Sequence, residues 1–280
     1  HGCVYCYARP SHAYLDCSPG LDFETRIFYK PQAVALLRKE LARPGYCPQP
    51  IALGVNTDAY QPAERELKIT RGILQLLLEC RHPVGIVTKS ALVERDLDLL
   101  SEMARQKLVH VTVSVTSLDR TLARTLEPRA AAPQRRLQTI RALRQAGIPV
   151  AELVAPVIPP LNDAESEMIL QAVREACAMS SGYVMLRLPL EVKELFRDWL
   201  KQHQPLKAAR IMSQLRDMRG GRDNDSRFGH RMRGGGAYAD LIAARFKIAL
   251  RRLGFAELPD YDLERFRPPR DSGGQLDLFD

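Results

Sequence analysis

Residues 109–116 read VHVTVSVT. The run is short, apolar and rich in β-branched residues, and it predicts a strand buried in a sheet. A polar end follows, with Ser114 and Thr116. The same design recurs on both sides. Upstream, Ile51–Val55 and Val84–Thr88 read as short buried strands, and downstream so do Val150–Val154 and Tyr183–Leu188. Between them lie stretches with helical periodicity: 30–42, 64–80, 92–105, 133–146 and 164–179. Gly147 closes one of these helices, and Asn162 or Asp163 is the expected cap of another.

Five apolar strands separated by helices predict an α/β fold with a parallel sheet covered on both faces. The repeat is long enough to favour a partial barrel. In such barrels chemistry collects at the C-terminal ends of the strands. After Leu190 the strands stop, and 191–202, 205–218 and 237–253 read as helices. The expected division is a barrel over 1–190, a helical extension over 191–265 and an extended tail over 266–280.

The 280-residue chain carries 41 Lys and Arg against 33 Asp and Glu, a net charge of +8. A basic balance suits polyanionic partners, nucleic acid above all, and also an ordinary basic protein. No apolar run reaches the ~20 residues of a membrane span, and no secretory signal is visible. The expected location is the cytoplasm, with no membrane partner. Six cysteines stand at 3, 6, 17, 47, 80 and 177. Cys80 and Cys177 fall in apolar helical patterns and read as core residues. Only Cys3 and Cys6 have metal-ligand spacing. Their CxxC fits an iron–sulfur pair, a redox pair or half a zinc site with His1 and His12.

The opening HGCVYCYARP and the βα repeat resemble the radical S-adenosylmethionine (SAM) superfamily. The motifs SPGLDFETRI (18–27), TDAYQPAE (57–64), TKS (88–90), SVTSLD (114–119), APVIPPLND (155–163) and FRPP (266–269) narrow this to its branch related to spore photoproduct lyase. The resemblance implies a (β/α)6 TIM-type partial barrel and the C-x3-C-x2-C signature, in which three thiolates hold a [4Fe–4S] cluster and one iron chelates SAM. Cys3 and Cys6 match the last two cysteines. The first cysteine and the first strand are expected upstream of His1.

Further roles follow from the resemblance and from placement at strand ends. Asn56, Thr57 and Asp58 suit the SAM amino group, Lys89 a carboxylate, and Ser114 and Thr116 ribose hydroxyls. Arg136 is expected at the SAM carboxylate, and Val157, Ile158 and Tyr5 at adenine. Arg187, Arg231 and Arg233 are the expected substrate contacts, the last two in a Gly/Arg-rich loop. Spore photoproduct lyases use a Cys near the first of these strand ends as hydrogen donor. Ile51–Tyr60 has none, so that reaction is not carried over, and Cys17 and Cys47 are weak substitutes. The catalytic residue stays unassigned.

The implied function is reductive cleavage of SAM and hydrogen abstraction from a substrate, with DNA repair or modification as the main reading. An electron donor of flavodoxin or ferredoxin type is implied. RNA or a peptide is the alternative substrate, and a non-catalytic, zinc-stabilised DNA-binding module is the alternative class. The final residues, Gln275, Leu276, Asp277, Leu278 and Phe279, resemble the peptide by which bacterial polymerases and repair proteins bind the sliding clamp.

Overall fold

The structure, a computed structural model, describes residues 1–269. Five strands, β1 (Ile51–Leu53), β2 (Val84–Thr88), β3 (Val109–Ser114), β4 (Val150–Val157) and β5 (Ser180–Met185), form one all-parallel sheet in sequence order. Val84 faces Val109, but β4 enters opposite Val111 and β5 opposite Ala151. A stagger that accumulates in one direction is the shear that curls a sheet toward a barrel. Val111, Val113, Val150 and Val154 are fully buried in the main core with Leu74, Leu100, Ile140 and Leu170 of the covering helices. Gly54, at the end of β1, takes φ +84°, and a Cβ there would meet the Val87 carbonyl oxygen at 2.0 Å. Only glycine lets these two strand ends approach so closely.

Several elements differ from their expected outlines, each for a local reason. The helix expected over 64–80 is two helices, Glu64–Leu67 and Ile69–Glu79, parted at Lys68 with φ 50°. Glu64 causes the break to hold: its carboxylate accepts the Ile69 and Thr70 amides at 3.1 and 3.0 Å and so caps the second helix. Asn162 is not a side-chain cap. Its Oδ1 accepts the Ile158 amide, and its Nδ2 donates to the Thr116 and Pro156 carbonyls, pinning the β4 end to the β3 end. β5 starts three residues early because Ser181 donates to the buried Glu152 at 2.5 Å, which gives a polar segment a place on the helix side of the sheet. Cys80 is buried, as expected of a core residue, but Cys177 is exposed: it follows the helix Ser166–Glu175 with φ 70°, and its side chain turns to solvent.

The stretch after Leu190 does two different things. Helices Val192–His203 and Ala208–Asp217 build a second core of Phe196, Trp199, Leu200 and Ile211 behind Cys3 and Tyr5. Helix Ala237–Arg252 joins the helical layer, with Phe246 against Tyr183 and Arg245 paired to Glu167 at 2.7 Å. The chain then returns beneath the sheet. The amides of Ala256, Asp262 and Arg267 donate to the carbonyls of Met179, Lys107 and Cys80, which precede β5, β3 and β2. Phe266, at the head of the expected 266–280 tail, packs on Tyr46 and His82.

Candidate active site

The C-terminal strand ends surround a cavity of about 710 Å³. Its lining joins the CxxC loop to the polar strand ends: Cys3, Tyr5 and Cys6 with Asn56, Thr57, Asp58, Lys89 and Ser114, and Arg187 and Arg231 at the β5 side. The loop is tied down by backbone bonds, Val4 to Leu126 at 3.0 Å and Arg129 to His1 at 3.1 Å. Arg9 reaches back under it, donating from Nε to the Cys3 carbonyl at 3.0 Å and pairing with Glu24 at 2.6 Å. The Tyr7 hydroxyl donates to the Val55 carbonyl and closes the loop against the β1 end.

Asp58 links three elements. Its Oδ1 accepts from the Tyr60 amide and the Thr88 hydroxyl, and its Oδ2 accepts the Lys89 amide at 2.7 Å and lies 3.0 Å from His1 Nε2. Lys89 extends across the site. Its Nζ donates to Ser114 Oγ at 2.7 Å, Thr116 Oγ1 at 3.2 Å and the Ala155 carbonyl at 2.8 Å.

Beneath the loop lies a carboxylate that no local pattern announces. Glu127 is almost fully buried and takes bonds from Tyr5, Thr116 and Arg136, with Lys89 Nζ at 3.4 Å. Burial works against its charge, but Arg136, Lys89 and the hydroxyl donors hold its pKa down at about 2. Arg136 itself lies outside the cavity lining. Its guanidinium is enclosed by Glu127 and the Ser114 and Ala131 carbonyls, which take one donor from each of its three nitrogens. Thr116, Val157 and Ile158 are buried below the surface of the cavity, and Arg233 is exposed beyond it. Cys17 and Cys47 also lie outside the lining. Gln275, Leu276, Leu278 and Phe279 lie outside the described residues.

Both cysteines of the loop are free thiols, and both face the cavity. Burial, aided by the Glu127 charge, pushes the Cys3 thiol up to about 12, and burial raises Cys6 as well. Two desolvated thiols beside an open cavity suit a bound metal, because coordination supplies the positive charge that thiolates lack here. Cys3 and Cys6 therefore fit two ligands of an iron–sulfur cluster. Among the described residues no group of three or more His, Cys, Asp and Glu is arranged as a metal site.

These features together match a known architecture. The profile of the Radical SAM superfamily matches residues 1–173, and the chain belongs to that family. An uncharacterized protein of Mycobacterium tuberculosis (strain ATCC 25618 / H37Rv) is 40% identical over 207 residues, covering 73% of this chain and 61% of its own length. Another, from Methanocaldococcus jannaschii, is 25% identical over 205 residues, 73% of each chain. The chain thus spans about 61% of the length of its mycobacterial relative. Spore photoproduct lyase complexed with dinucleoside spore photoproduct shares the fold, with a TM-score of 0.56 and 13% identity over 90% of this chain and 70% of that one. No helix among the described residues is long and apolar enough to cross a membrane.

Proposed function

We propose that this protein is a radical SAM enzyme acting on nucleic acid, most directly DNA. The observation that carries the reading is one cavity lined by the free Cys3 and Cys6 thiols, the polar strand ends and two arginines. Superfamily members typically use a [4Fe–4S] cluster and SAM, which when bound supply a carbon-centred radical for hydrogen abstraction. Cys3 and Cys6 would supply two of the cluster's thiolate ligands. Asn56, Thr57 and Asp58 receive the SAM amino group, Lys89 a carboxylate, and Ser114 the ribose. Tyr5, fixed by Glu127, flanks the adenine.

The other buried residues position these groups rather than touch the cofactor. Asn162 joins the β3 and β4 ends, and Arg136 and Glu127 brace the loop from below. The apolar wall formed by Val87, Leu153, Pro156 and Leu186 leaves few polar groups to hold water on that side of the cavity.

The substrate reading draws support from the net charge of +8 and from Arg187 and Arg231 at the cavity. A base in a duplex has to be extruded to enter such a site. A low-potential flavodoxin or ferredoxin is the proposed electron donor. The sequence of residues 275–279 is proposed to bind a sliding clamp. The described chain before it is fastened under the N-terminal ends of the strands. The experiment that tests the substrate class is 5′-deoxyadenosine release by the reconstituted protein with and without oligonucleotides. Stimulation by DNA supports the reading; stimulation by peptides alone refutes it.

A further inference from the structure

Segment Arg26–Lys30 reads RIFYK, and all five residues are exposed. Ile27, Phe28 and Tyr29 are consecutive and each about half accessible, 48%, 52% and 56%, and a contiguous exposed apolar patch marks an interaction surface where a single exposed side chain does not. The segment is not loose. His12 Nε2 lies 3.0 Å from the Arg26 carbonyl oxygen, and the His12 ring meets Phe28 edge-on at 5.5 Å and Phe23 at 4.9 Å. A histidine buried under the loop therefore presents an aromatic pair to solvent. Ile27, just before them in sequence, lines the cavity.

The same cavity is lined by Arg187 and Arg231. Arg187 stacks over Tyr7 at 4.9 Å, and Arg231 over Phe228 at 5.2 Å, with Phe228 88% exposed. Burial lowers the Arg187 pKa, and the neighbouring Arg231 charge lowers it further. Among the described residues none of Arg26, Lys30, Arg187 and Arg231 forms an ion pair, whereas Arg9, Arg71, Arg95 and Arg136 all do. Cations left unpaired next to exposed rings are complementary to a polyanion whose bases are free to stack.

The geometry points to the cavity mouth as a track for a single nucleic-acid strand, with bases stacking on the rings of the Arg26–Lys30 segment and of Phe228, and phosphodiesters on the Arg187–Arg231 pair. This rests on the nucleic-acid reading above and sharpens it, because paired duplex bases hide the faces that these rings would meet.

The test is fluorescence anisotropy of the purified protein with labelled oligodeoxythymidylate, oligouridylate and a DNA duplex, over a range of salt concentrations. The proposal predicts that a single strand binds at least about tenfold tighter than duplex. It predicts that Phe28→Ala with Tyr29→Ala weakens single-strand binding about tenfold or more, at the scale of one or two lost stacking contacts. Arg26→Ala with Lys30→Ala, at fully surface positions, should weaken it as well and flatten the salt dependence. Deoxy and ribo strands that both bind and both lose affinity support the track, and their order identifies the strand type. Single-strand binding that survives both double variants, or duplex bound as tightly as single strand, overturns the track and leaves the nucleic-acid reading standing. Failure of the wild-type protein to bind any oligonucleotide at low salt, or binding to anionic vesicles instead, overturns both.

Discussion

Glu127 and Arg136 form an ion pair in the interior, with 0% and 2% of their side chains accessible. The pair stands directly under the cysteine loop, since Glu127 also receives the Tyr5 hydroxyl. A buried ion pair is costly to break from one side only, because the remaining charge keeps its desolvation penalty. Arg136→Met is therefore expected to destabilise the protein by about 3–5 kcal/mol in urea unfolding. Replacing Glu127 by Leu in the same chain should recover part of the loss. A loss under about 1 kcal/mol, the range of exposed pairs, would show that the pair contributes little.

Glu152 gives a pH dependence of known sign. Its side chain is fully buried on the helix side of the sheet, with Ser181 as donor to Oε2 and no partner for Oε1. Burial raises its pKa from 4.5 to about 8. The unfolded chain releases this proton near the lower value, and the folded chain keeps it to the higher one. The Glu152 contribution to stability therefore falls as pH rises from about 4.5 to about 8 and is level above. Glu152→Gln should remove this slope, so the stability difference between variant and wild type, followed by thermal melts, should shift in favour of the variant across the interval. A difference constant with pH refutes the assignment.

Tyr261 fastens the returning chain. Its ring stacks on His110 with centroids 4.0 Å apart, and a Cβ on Gly85 would come within 3.0 Å of its hydroxyl. Tyr261→Ala should lower stability by about 2–3 kcal/mol and increase hydrogen exchange at the amides of Asp262 and Arg267. Unchanged exchange there would mean that the strap is held without this plug.

Much of this was legible in the sequence. The β-branched run at 109–115 and its repeats defined the parallel sheet, because strands buried on both faces must be apolar throughout. The polar strand ends Asn56, Asp58, Lys89 and Ser114 meet at one cavity because parallel strands bring their C-terminal ends to one side. Glu127 was not legible: Tyr5 and Lys89 are distant in sequence, Arg136 belongs to the next helix, and a single Glu after a short mixed helix carries no pattern. Arg136 and its neighbour Arg135 look alike in sequence, yet Arg135 pairs with Glu94 at the surface side and Arg136 turns inward. The strap at 254–269 was not legible either, because its bonds run to three different strand entrances rather than along itself.

Cys3 and Cys6 are proposed to belong to a cluster that cleaves SAM. The most direct measurement uses the natural protein, purified without oxygen and reconstituted with iron and sulfide. Bound iron and sulfide are counted, and 5′-deoxyadenosine is measured after addition of dithionite and SAM. The account predicts about four irons per chain, deoxyadenosine formed, and both lost in Cys3→Ala and Cys6→Ala. Zinc in place of iron, or a full cluster that never cleaves SAM, would contradict it.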